Sequence, residues 1–358
     1  MLLHNLGGVF TGDASAPTAD QDAIAVADGL IVTPGAADSA PGAADSAADG
    51  AERLDAAGGW AMPGLWDGAQ NLYFGDHTPE FSATGALAAS VGFGVTSVVA
   101  IQSAAVPGAG PEARFRRELA VLTMKSWMYE RPGGLHVHTN TVLSHPDWDA
   151  DDLQDLAACG ADLLLLPASL PPEDALRLAK TGRESGFRIG LWLDSVAPPA
   201  AIDELLATAR PEVATPVNTP GLPQNVVGQL IEANGCALGL TLAGDLQVAA
   251  RVAGACVERG EPWRPFLGSG MPDDRGVMPA GLALLIDVIG ALSGLDPGLV
   301  IAMATGNVAR AFGRPGGVLA PGQPADVVVL DGGGFASPWL RRPAATLIGG
   351  YPNSDKQR

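Results

Sequence analysis

The chain has 358 residues, 47% of them hydrophobic, and a positive mean hydropathy, so it can bury a large core and is not a disordered protein. Its 21 basic against 39 acidic residues leave a net charge of −18, which argues against nucleic acid or an anionic membrane as partner, since both need a basic face. Cys159, Cys236 and Cys256 show no C-x-x-C spacing and read as buried thiols in a reducing compartment. No basic stretch leads into an apolar h-region, and no apolar run reaches the roughly 18 residues of a membrane span. A cytoplasmic protein is the expectation.

Residues 1–58 read as short strands joined by turns, with Ala23 to Val32 as a hairpin turning at Asp28-Gly29. Residues 34–47 are a tandem duplication, Pro34 to Ala40 repeated as Pro41 to Ala47, which reads as an inert surface insertion sooner than a lid. From Trp60 onward, strand-like runs at 61–66, 95–101, 135–140, 162–167, 187–193, 212–217, 236–242 and 264–268 alternate with helical patterns. The helical patterns lie at 80–91, 111–128, 150–158, 172–185, 200–209, 223–234, 246–259 and 279–293. Eight strand–helix units in strict alternation predict an α/β protein, a (β/α)8 TIM barrel; an open doubly wound sheet is the competitor, and no G-x-G-x-x-G follows the first strand to support it. Gly317 to Asp331, with Pro321-Gly322-Gln323-Pro324-Ala325-Asp326 before a β-branched run, reads as a return to a small β-sandwich. The expected organisation is a composite sandwich from 1–58 plus 314–358 around a barrel at 59–313.

Pro63-Gly64-Leu65-Trp66-Asp67 resembles the Pro-Gly-x-x-Asp run that opens the barrel of the amidohydrolase superfamily ahead of a His-x-His pair. The likeness continues through Gly94-Val95-Thr96-Ser97, Arg131 to His138, Pro172-Glu173-Asp174-Ala175 and Met303 to Asn307, and is most similar to the enamidases, hydrolases that open a cyclic enamide. The resemblance implies a set of metal ligands at the strand ends and a homo-oligomer. At those ligand positions this chain reads Ala69 and Asn71 for the two histidines, leucines at 163–166 on strand 4, Trp192 on strand 5, Pro216 on strand 6 and Gly270 on strand 8. None of these is a zinc ligand of the usual kind. No metal or other cofactor is therefore expected.

In a barrel of this kind the working residues cluster at the C-terminal ends of the strands. The candidates there are Asn71 and His77, Gln102, His138 and Asn140, Trp192 and Asp194, Asn218, Met271, and the run Asp273-Asp274-Arg275. Asp194 beside the Trp192 wall suits general acid or base work, or equally a helix N-cap. Asp273-Asp274-Arg275 can anchor or protonate a substrate, or form only a loop ion pair. His136 and His138 form an H-x-H on one strand face: a packed pair, a catalytic His138 alone, or part of a relocated metal site. No G-x-S-x-G surrounds Ser103, Ser169 or Ser269, which speaks against a serine hydrolase.

The leading expectation is a metal-independent enzyme using general acid/base catalysis on a small cyclic nitrogen- or carbonyl-containing substrate, by ring opening, cyclisation, isomerisation or dehydration. Asp194, His138 and Asp273 would be catalytic, with the other candidates binding substrate, and specialised-metabolite biosynthesis is the suggested setting. The alternatives are a non-catalytic ligand- or partner-binding protein of amidohydrolase type, and a metal hydrolase with relocated ligands.

Overall fold

The computed structural model describes residues 1–33, 52–72, 83–103, 113–193, 199–233, 235–271, 276–331 and 343–353. The duplicated segment 34–47 lies outside them. Three sheets organise the described chain. At the N-terminus β1 (Leu2–His4), β4 (Ala23–Ala27), β5 (Leu30–Val32) and β6 (Arg53–Asp55) form a four-stranded sheet in the order β5-β4-β1-β6. The hairpin expected there is present: Ala27 pairs with Leu30 across Asp28 (φ 52°) and Gly29 (φ 76°), the positive angles a two-residue tight turn requires.

A six-stranded sheet joins the two ends of the chain. It contains β2 (Gly8–Phe10), β3 (Thr18–Ala19) and β7 (Trp60–Pro63) from the first part, and β16 (Val327–Leu330), β17 (Ala345–Ile348) and β18 (Tyr351–Pro352) from the last. The join is the antiparallel pair β7–β16, with Met62 opposite Val328. Between them Leu3, Ile24, Ala61, Val327 and Leu347 form one buried apolar cluster.

The barrel runs β8 (Leu65–Leu72), α1 (Ala83–Val91), β9 (Val95–Ser103), α2 (Ala113–Tyr129), β10 (His136–Leu143), α3 (Ala150–Ala158), β11 (Leu163–Pro167) and α4 (Pro172–Glu184). It continues through β12 (Arg188–Trp192), α5 (Pro199–Thr208), β13 (Val213–Thr215), α6 (Gln224–Glu232), β14 (Ala237–Thr241), α7 (Leu246–Glu258), β15 (Pro265–Gly268) and α8 (Gly281–Ser293). All eight strands are parallel and ordered as in the sequence. The first and last strands meet through a bridge between Gln70 and Met271 and a hydrogen bond from Gly270 N to Ala69 O of 3.0 Å. Two short helices, α9 (Pro297–Met303) and α10 (Gly306–Ala311), follow, and α10 packs Val308 and Ala309 into the barrel interior.

The run expected as one first strand at 61–66 is divided. Gly64 ends β7 in the sandwich and β8 begins in the barrel. A Cβ at Gly64 would lie 2.1 Å from Thr96 Oγ1, so only glycine lets the chain pass this close to β9 while it changes sheet. The third strand runs from His136 to Leu143, three residues beyond the expected end at 140.

Candidate functional site

Parallel neighbours in register share a face of the sheet, so the pairing fixes which residues look into the barrel. Val99 and His138 are partners, as are Ile101 and Thr141, Leu165 and Gly190, and Trp192 with both Pro167 and Thr215. The interior they build is one apolar cluster containing Trp66, Ala69, Val99, Ile101, Leu163, Leu165, Val213 and Phe266, with Leu143 and Trp192 packed on it. On strand 6 the inward residue is Thr215; Pro216, the position suggested by the sequence resemblance, follows it through a cis peptide bond. Gly268 makes room for Ala69, since a Cβ on it would come within 2.7 Å of the Ala69 methyl carbon. Gly270 has φ 69°, and a Cβ there would lie 3.2 Å from Thr241 Cβ. A side chain at that position meets both strain and a neighbour.

A metal centre of the family's kind needs imidazole or carboxylate donors converging on a point. Apart from the lone imidazole of His138 against Trp66, methyl, aliphatic, indole and hydroxyl groups occupy the described inward positions, and they do not fit such a centre. Among the described residues, Thr141 Oγ1 and Thr215 Oγ1 are buried there without a hydrogen-bond partner. Among the described residues no three His, Cys, Asp or Glu side chains form a group able to hold an ion.

One buried carboxylate lies at the seam of the barrel, and sequence reading did not single it out. Asp67 Oδ1 accepts from Ser269 N at 2.7 Å and from Ala69 N at 3.2 Å, and Oδ2 accepts from Gln70 Nε2 at 2.6 Å. Gln70 Nε2 also donates to Ser269 Oγ (3.1 Å), which accepts from Met271 N (3.2 Å). Burial pushes the Asp67 carboxyl above its ordinary range, opposed by the hydrogen bonds from Ser269, Ala69 and Gln70. Met271, an expected substrate contact, is buried and takes part in this closure.

The other candidates separate. Asn218 is fully engaged: its Nδ2 donates to Thr241 O (2.8 Å) and Asp245 O (3.2 Å), and its Oδ1 accepts from Thr241 N (2.9 Å), tying the ends of β13 and β14 together. Asp245 caps α7 through Gln247 N and Val248 N. Trp192 is half-buried at the end of β12.

His138 and Asn140, expected at the outer end of strand 3, lie deeper, towards the opposite end of the barrel, because that strand runs on to Leu143. The Asn140 amide donates to Asp162 Oδ1 (2.7 Å), just before β11, and to Phe312 O (3.4 Å), just after α10. His138 stacks on Trp66, with centroids 4.5 Å apart and planes at 10°. Burial, then electrostatic repulsion from His136 and Arg314, pushes its pKa down to about 4, and among the described residues its buried Nε2 has no partner. His136 Nε2 lies 3.4 Å from Asp326 Oδ2. Asn71 and Gln102 lie near the outer ends of β8 and β9. His77, Asp194, Asp273, Asp274 and Arg275 lie outside the described residues.

An eight-stranded parallel barrel flanked by sheets from both chain ends is the architecture of the amidohydrolase superfamily. No family model matches this chain. The crystal structure of enamidase, described as a member of that superfamily, aligns with a TM-score of 0.85 at 24% identity, covering 99% of this chain and 95% of enamidase. N-acetyl-D-glucosamine-6-phosphate deacetylase from Mycobacterium smegmatis aligns with a TM-score of 0.70 at 16% identity, over 98% of this chain and 99% of the deacetylase. In sequence, the chain is 26% identical to the enamidase of Eubacterium barkeri over 339 residues, 92% of this chain and 86% of that protein. It is a homologue of enamidase with the amidohydrolase fold.

Proposed function

We propose that the chain is a metal-independent hydrolase of amidohydrolase type that opens the ring of a small cyclic enamide or lactam. The relationship to enamidase supports the substrate class and the reaction. The observation that carries the metal-independence is the interior itself, where Ala69, Leu163, Leu165, Trp192 and Thr215 occupy the faces from which a metal would be held. Trp192 offers a flat apolar wall at the end of strand 5, which suits a planar ring.

Without a metal-bound hydroxide, water must be activated by a side chain. In this reading one of the two carboxylates that the sequence points to, Asp194 or Asp273, takes a proton from water as its oxygen adds to the ring carbonyl. The other, protonated, gives a proton to the ring nitrogen as the C–N bond breaks, so that one water is added and no net proton is consumed. His138, stacked beneath the interior on Trp66, takes no part. The test is hydrolysis of a panel of six-membered cyclic enamides and lactams by the wild type, Asp194→Asn and Asp273→Asn. Turnover lost in both variants supports the assignment. Saturable binding without turnover by the wild type would favour a ligand-binding protein on the same fold.

A further inference from the structure

The barrel carries a concavity at the end opposite the expected active-site mouth. It is a cleft of about 850 Å³ whose floor is α10 and whose walls are the turn before β15 and the loops around residues 12–15 and 314–318. Its position follows from Asn307, whose Nδ2 donates to Pro262 O and to Pro265 O, both at 2.8 Å, clamping α10 to the residues that lead into β15.

The turn is built rigidly. Arg264 has no exposed surface and donates to the carbonyls of Cys236, Ile231, Leu230 and Ala233 at 2.7–2.8 Å and to Glu261 Oε2 at 2.7 Å. This holds the neighbouring Trp263 as a fixed platform, and Arg310 of α10 lies over it with the guanidinium carbon 4.4 Å from the ring centroid. Arg310 is exposed and its side chain makes no hydrogen bond or ion pair among the described residues, in a chain of net charge −18. The other charged groups lining the cleft are occupied: Arg314 Nη2 pairs with Asp162 Oδ2 at 2.9 Å, and Asp13 Oδ1 accepts from Ser15 N and Oγ.

We propose that this cleft binds a small organic carboxylate, held by Arg310. A guanidinium stacked on an indole keeps its in-plane N–H donors free, and their fork matches the two oxygens of a carboxylate. Pro262, Val257 and Val318 give the organic remainder an apolar wall, which a hydrated inorganic phosphate would not use. The proposal is independent of the chemistry at the opposite end of the barrel.

Benzoate and inorganic phosphate are the probes. Each is titrated by calorimetry into the full-length wild type, Arg310→Ala and Arg310→Lys, and the Trp263 indole N–H is followed by NMR, assigned with Trp263→Phe. The expected result is saturable 1:1 benzoate binding that shifts the Trp263 signal. Affinity should fall about tenfold or more in Arg310→Ala and only partly recover in Arg310→Lys. Arg310 is exposed, so its removal leaves the fold intact. Absence of saturable benzoate binding, equal binding by Arg310→Ala, or binding of phosphate in preference to benzoate would each overturn the proposal.

Discussion

Asp67 and Ser269, 202 residues apart, close the barrel: the carboxylate of the first strand accepts the amide of the residue just beyond the last at 2.7 Å. The same carboxylate orients Gln70, whose amide reaches Ser269 Oγ. A buried acid is retained here because three donors converge on it, the amides of Ser269 and Ala69 and the Gln70 side chain.

Asp67→Ala is therefore expected to destabilise the chain by about 3 kcal/mol, since it leaves buried donors unpaired, and Asp67→Asn by about half as much, since the amide oxygen still accepts from Ser269. Urea denaturation of the three proteins measures this. An Ala variant as stable as the wild type would show that the seam does not depend on the carboxylate.

His138 sets a pH dependence. Its folded pKa, about 4, lies below the ordinary 6.5, so the fold resists its protonation. The stability it contributes is fully present above pH 6.5 and is lost as pH falls through the window towards 4, by up to about 3 kcal/mol. His138→Phe keeps an aromatic stack on Trp66 and removes the titration. The denaturant midpoints of wild type and variant, compared at pH 7 and pH 4.5, should move in the variant's favour at the lower pH. A constant difference between the two would mean that His138 does not titrate in this window.

Much of this architecture is legible in the chain, because strands buried on both faces write themselves as apolar runs between amphipathic helices. What escaped has physical causes. Residues 61–66 read as one continuous strand, and the break at Gly64 is imposed by the approach of Thr96 from another strand. The third strand is expected to end at residue 140; its end at Leu143 is what sets His138 and Asn140 deeper in the barrel. Asp67 passed as part of a motif because its partner stands at the far end of the barrel sequence. The residue types at the ligand positions that the resemblance implies, Ala69, Asn71, Trp192, Pro216 and Gly270, could be read directly, since they depend on identity and not on placement.

Restoring the two histidines should not restore a metal site. Ala69→His with Asn71→His supplies two donors, while Leu165, Trp192, Thr215 and Gly270 supply no imidazole or carboxylate to complete the shell. The double variant is expected to bind no stoichiometric zinc by elemental analysis, and to lose about 1–3 kcal/mol from crowding a packed interior. Stoichiometric zinc in it would mean that other residues complete a coordination shell.

Arg264 is expected to be among the costliest buried residues to replace. Arg264→Met fills much of the same volume but strands the carbonyls of Leu230, Ile231, Ala233 and Cys236, for a loss of about 3 kcal/mol or more. Thermal and chemical denaturation of the variant would reveal it. A change below about 1 kcal/mol would show that these carbonyls find water instead.

Metal content and turnover, measured on the same purified full-length chain before and after dialysis against a chelator, bear most directly on metal-independence. The expected result is substoichiometric metal throughout and hydrolysis of a cyclic enamide or lactam at an unchanged rate. A stoichiometric metal whose removal abolishes turnover, and whose return restores it, would contradict the proposal outright.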